Sequence, residues 1–72
     1  MMTNELIDVL VPIPVLEKFS YLPAKGSRVL PKAGSRVLIP FGRRTLVGVV
    51  WKISKLDKSD KRKYKHIKEI LD

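Results

Sequence analysis

Three short clusters in this sequence set aromatic rings beside bases or glycine: Phe19 and Tyr21, Phe41 followed by Gly42-Arg43-Arg44, and Tyr64 beside Lys65. An aromatic face stacks on a nucleobase, Lys and Arg pair with phosphate, and a glycine lets a nucleotide approach the main chain. This combination suits a single-stranded end better than a duplex groove. A small domain also needs its rings for a core. Phe41 and Trp51 are expected there, with Phe19 and Tyr21 divided between the two uses.

Catalytic constellations are missing. Gly42 to Gly48 has neither the spacing nor the lysine of a phosphate-binding loop, and the sequence holds no dinucleotide fingerprint, no Gly-x-Ser-x-Gly elbow and no paired Cys/His ligands. His66 stands among Lys65 and Lys68 with no acid to orient it, and it is given no role. The chain itself is therefore not expected to be an enzyme, nor to hold a cofactor or metal.

Size and charge agree. Seventy-two residues make one domain, 1–72, near the lower limit at which a single core offsets chain entropy. The absence of cysteine rules out disulfides and thiolate zinc sites and fits a reducing, cytoplasmic setting. Charges break every apolar run before membrane-spanning length, and Met1 to Asp8 carries two acids and no base, unlike a secretory leader; no membrane association is expected. The net charge of +8 is one-sided. Residues 1–24 hold one base and three acids, whereas residues 25–72 hold fourteen bases and four acids. Such a field draws polyanions, DNA foremost. The alternative is a small basic barrel that binds RNA, the ribosome or an acidic protein partner.

The elements that must position these residues are short. Leu6 to Val11 reads as a strand stopped by Pro12 and Pro14, and prolines at its end point to a sheet edge. Lys18 to Leu22 alternates around Phe19 and Tyr21 as a short second strand. Gly26-Ser27-Arg28-Val29-Leu30 recurs as Gly34-Ser35-Arg36-Val37-Leu38, giving either two strand-like segments or one strand and an extended loop. Val37, Ile39 and Phe41 share a face with Arg36 opposite. A turn at Gly42-Arg43-Arg44 leads to a strand that sets Val47, Val49, Trp51 and Ile53 on one side and Gly48 on the other. Residues 54–63, with Lys55, Lys58, Lys61, Arg62 and Lys63, form a charged loop. The tail from Tyr64 to Asp72 fits either a helix or a strand. The fold class expected is mainly β: a small, strongly bent antiparallel sheet or five-stranded barrel-like domain of SH3 or OB kind.

Motifs in order carry a resemblance. Val11-Pro12-Ile13-Pro14, then Phe19-Ser20-Tyr21-Leu22-Pro23, Lys32 to Arg43 with its run AGSRVLIPFG, Val47-Gly48-Val49-Val50, and Lys65 to Asp72 ending IKEILD together resemble the N-terminal domain of the PriA family. These are bacterial primosomal replication-restart helicases, and the likeness covers nearly the whole chain.

The resemblance implies a module that holds the 3′-terminal nucleotide of the nascent leading strand at an abandoned replication fork. In doing so it orients the helicase for primosome assembly. It implies a 3′-end pocket at Phe19, Ser20, Tyr21, Gly42 and Lys65, with Phe19 and Tyr21 walling the base. Ser20 departs from the family pattern, which carries Asp there; a serine hydroxyl is neutral and shorter. Phosphate contacts are expected from Arg36, Arg43, Arg44, Lys61, Arg62 and Lys63. The resemblance further implies that this chain is an N-terminal fragment. The ATP-dependent helicase core, with its ATP and magnesium, and the zinc-binding segment would lie beyond Asp72, as would contacts with other primosome proteins.

Overall fold

The computed structural model describes residues 5–27, 29–57, 59–60 and 62–72; Arg28, Lys58 and Lys61, all named above, lie outside the described residues. Five strands run β1 (Glu5–Ile13), β2 (Val15–Tyr21), β3 (Arg36–Phe41), β4 (Arg44–Lys55) and β5 (Glu69–Ile70). They form one antiparallel sheet in the order β2-β1-β4-β3-β5, left unclosed, with no helix among the described residues. The expected mainly β fold class holds.

Alternation builds the core. Ile7, Val9 and Val11 point inward from β1 and meet Val37 and Ile39 of β3 and Val50 of β4, all at most 2% exposed. Each such side chain contributes about 1.5–3 kcal/mol by leaving water. The β1 strand continues through Pro12 to Ile13, and it is not an edge: β2 and β4 flank it. Pro12 is tolerated because the β1–β4 ladder ends at Leu10↔Val49, two residues earlier, so the N–H that proline lacks has no partner to lose there.

The expectation that Trp51 is core is overturned. Trp51 is 54% exposed, as are Val47 at 44% and Val49 at 40%, while Gly48 and Val50 face inward. One feature decides which side of β4 faces in, and a second re-phases the strand after Trp51. A Cβ on Gly48 would stand 2.3 Å from Val9 Cγ1 and 3.0 Å from the Leu10 carbonyl oxygen, so the sheet closes on a glycine at the point where any side chain would hold it apart. Beyond it the register shifts: Asp8 pairs with Lys52 but Val9 with Val50, leaving Trp51 as an extra residue in a β-bulge. The bulge returns Ile53 to the core side, where it packs against the cluster.

Of the two echoed segments the second forms a strand, β3, whereas the described residues of the first, Gly26, Ser27, Val29 and Leu30, belong to none. The tail is strand-like, with Ile67 2% exposed. It leaves the end of β2 through Leu22 N–H to Lys65 O (2.8 Å) and Ile67 N–H to Leu22 O (2.9 Å). It then joins β3 through Lys68 N–H to Leu38 O (2.7 Å) and Leu71 N–H to Arg36 O (2.8 Å). One segment thus touches both sides of an open sheet.

Candidate nucleic-acid interface

Where β2 ends, the β3–β4 hairpin turns and the tail crosses, a cleft of about 350 Å³ opens. Phe19, Ser20, Tyr21, Gly42 and Lys65, the five residues of the expected pocket, all line it, joined by Phe41, Lys63 and Tyr64.

The rings differ in availability. Phe19 is half-buried and meets Phe41 edge to face, with ring centroids 5.1 Å apart and planes at 76°. Tyr21 is only 5% exposed and donates its hydroxyl to the Pro40 carbonyl at 3.0 Å. Burial pushes its phenol pKa up. Tyr21 is thus a floor, and Phe19, Phe41 and Tyr64 are the rings with partly open faces. Tyr64 is held from outside the cleft: its hydroxyl donates to Asp60 Oδ2 at 2.7 Å, and the Arg62 guanidinium carbon lies 5.4 Å from its ring centroid. The Arg62 side chain, its N–H and the Tyr64 hydroxyl all donate to Asp60, which holds its carboxyl well below the usual carboxylate range. The bond to Asp60 in turn raises the Tyr64 phenol.

Gly42 opens a two-residue hairpin, Phe41↔Arg44, with φ at +60°. That is the left-handed first position of a type II′ turn, which glycine supplies without strain. Among the described residues, its chain neighbours aside, no atom lies within 4 Å of where its Cβ would stand, so the main chain there is open to a ligand.

Ser20 has a specific orientation. It is the cross-strand partner of Asp8, and its Oγ donates to Asp8 Oδ1 at 2.8 Å. The single hydroxyl proton is committed to the carboxylate, so what Ser20 keeps is acceptor capacity, strengthened by the charge behind it. Among the described residues no cation lies within 4 Å of Asp8. The sequence reading missed Asp8; the two residues meet only through β1–β2 register.

The candidate phosphate contacts divide. Arg43 is exposed at the hairpin tip, Arg44 shares its face with Phe41, and Lys63 lines the cleft. Arg62 is committed to Asp60 at 3.0 Å, although its side chain stays 77% exposed. Arg36 grips Asp72, with Nη2 to Oδ1 at 2.8 Å and Nε to Oδ2 at 3.1 Å. It sits five residues along β3 from Phe41, roughly 17 Å at the ordinary strand rise. Lys61 lies outside the described residues.

Aromatic walls, an open glycine backbone and basic side chains thus meet in one cleft. The family model of the 3′ DNA-binding domain of PriA matches residues 8–72. The chain belongs to this family. The PriA 3′ DNA-binding domain is a DNA-binding module rather than a catalytic one, and its membership ties the chain to replication restart. The match takes in β1 from Asp8 onward and every residue that lines the cleft. None of the curated proteins matches the chain.

Proposed function

We propose that this domain captures a free 3′ end of DNA, with the terminal nucleotide in the cleft at Phe19, Ser20, Tyr21, Gly42 and Lys65. At an abandoned replication fork this end is that of the nascent leading strand, and its capture orients the restart helicase for primosome assembly. The base packs on the partly open faces of Phe19 and Tyr64 above the Tyr21 floor. The sugar approaches the Gly42 backbone, and Lys65 meets the adjacent phosphate or a base edge. The 3′ hydroxyl donates to Ser20 Oγ.

The observation that carries this reading is the Ser20 bond to Asp8, because an acceptor without a free proton favours a donor. A 3′ hydroxyl is a donor. A 3′ phosphate is an anion and would face the same lone pairs with the Asp8 charge behind them. The role that the family gives to a direct carboxylate is thereby filled by a hydroxyl polarised from the neighbouring strand.

Fluorescence anisotropy with two otherwise identical oligonucleotides, one ending in a 3′ hydroxyl and one in a 3′ phosphate, tests it. Tighter binding of the hydroxyl end is expected. Equal affinity would refute end capture and leave general DNA binding.

A further inference from the structure

A second hollow adjoins the first across Tyr64 and Lys65. It encloses about 590 Å³ and is lined by Lys25, Lys65, His66 and Lys68 over an apolar floor of Pro40 and Ile67. Pro40, Tyr64 and Lys65 line both clefts, so the two are continuous along the surface.

Its bases are unpaired, unlike two of the arginines elsewhere on the surface. Arg36 and Arg62 are neutralised by Asp72 and Asp60. Lys25, Lys65 and Lys68 are exposed, and among the described residues no carboxylate stands within 4 Å of any of them. Three unpaired ammonium groups on one concave wall make an anion site by Coulomb attraction alone. Their mobile point charges suit a phosphodiester backbone and are indifferent to base identity. His66 is fixed on the same wall: its Nδ1 is 2.6 Å from the Pro23 carbonyl oxygen, which can only accept, so Nδ1 carries the proton and the ring is held in place. The sequence hides this grouping because Lys25 comes from the loop after β2 and Lys68 from the tail. The backbone bonds between Leu22 and the tail bring them together.

We infer that this second cleft is the track for the phosphate backbone of the single strand whose 3′ nucleotide occupies the first. The inference rests on the end-capture reading and adds to it a direction: the strand leaves over Tyr64 and Lys65 toward Lys25 and Lys68. The cleft binds phosphodiesters of the nucleotides upstream of the end and contributes nothing to recognition of the end itself.

Oligonucleotide length separates the two sites. Binding of (dT)2 and (dT)8, both with a 3′ hydroxyl, is measured across a salt series for the native chain, for Lys25→Ser with Lys68→Ser, and for Lys52→Ser. Lys52 is exposed and lines neither cleft. Each phosphate contact on a single strand contributes about 0.7 to the salt slope, so the double variant is expected to lose about 1.4 on (dT)8. Counted down from 1 M, that slope corresponds to roughly 25-fold weaker (dT)8 binding at 0.1 M salt. Binding of (dT)2 stays unchanged, and Lys52→Ser leaves the ratio of (dT)8 to (dT)2 affinity as it was. An equal loss on both lengths, no loss on (dT)8, or a change of that ratio in Lys52→Ser as large as in the double variant would overturn the track. Failure of end capture is read on a separate axis, the hydroxyl against phosphate end pair, which the double variant leaves at its native value.

Discussion

Removing the Ser20 hydroxyl, or the charge behind it, should change which 3′ ends the domain prefers while leaving its fold in place. Ser20 and Asp8 are both half-buried, and their 2.8 Å bond crosses between paired strands without entering the core. A hydrogen bond to a charged group is worth about 1.5–3 kcal/mol and a neutral one about 0.5–1.5. An acceptor polarised by a carboxylate sits between these, so losing it should remove about 1–1.5 kcal/mol of discrimination, roughly a 5- to 12-fold ratio. Ser20→Ala is therefore expected to bring the affinities for a 3′ hydroxyl end and a 3′ deoxy end to near equality.

Asp8→Asn is the finer probe. The amide keeps the shape and can still accept the serine proton, but it carries no charge, and roughly half of the preference should go. Ser20→Asp alone sets two carboxylates directly opposite each other across β1 and β2, a repulsive arrangement. Adding Asp8→Ser returns one charge to the pair and should recover binding. The measurement is anisotropy on hydroxyl and deoxy ends, with circular dichroism confirming the fold. A folded Ser20→Ala variant that still prefers the hydroxyl end to the native degree would refute the acceptor argument, and native behaviour in Asp8→Asn would refute the part given to the carboxylate.

Gly48→Ala should destabilise the domain by about 1–3 kcal/mol in urea unfolding through overpacking against Val9. Val9→Ala in the same chain should give part of that back, whereas strict additivity would show that the two do not touch. Gly42→Ala, where space is open but φ is +60°, should cost about 1–2 kcal/mol from backbone strain alone and weaken DNA binding beyond that loss; native stability would show that the turn had changed type. For pH, Asp60 and Asp72 have depressed native pKa values, first through side-chain bonds from Arg62 and Arg36 respectively. The unfolded chain therefore takes up protons first as pH falls. The stability that these groups contribute is complete above the unfolded value near about 3.9 and declines as pH drops below it. The Tyr64 ring resonances should accordingly hold their positions from pH 7 to 4.5; a shift in that window would show that Asp60 is not the anchor.

Much of the sheet is legible in the residue pattern, because alternation in β1 and β3 fixes which side chains meet. The face of β4 is not. Counting by twos groups Val47, Val49, Trp51 and Ile53, but the tight contact of Gly48 with Val9 turns the first three outward, and the extra residue at Trp51 brings Ile53 back in. Neither is local to β4, so no reading of that strand by itself reveals them. The cleft residues follow from resemblance, but their states do not. That Tyr21 is a floor, that Ser20 offers no proton and that Arg36 is spent on Asp72 are consequences of register and of where the tail lies. Lys25 and Lys68 are 43 positions apart in the chain, which no spacing rule connects.

The tail that bridges β2 and β3 also provides Tyr64 and Lys65 to the end cleft and Lys68 to its neighbour. The latch of the sheet and the wall of the site are therefore the same stretch of chain, and occupancy and folding become linked quantities. A ligand at 100 times its dissociation constant adds about 2.7 kcal/mol to the closed form. That gain appears first as slowed amide exchange where the latch is tied, at Leu22, Ile67, Lys68 and Leu71. In the empty protein the tail is tied by these backbone bonds and by the Arg36–Asp72 pair. With DNA in the proposed cleft the same stretch would gain a further hold, so its exchange rates would report whether an end is in place.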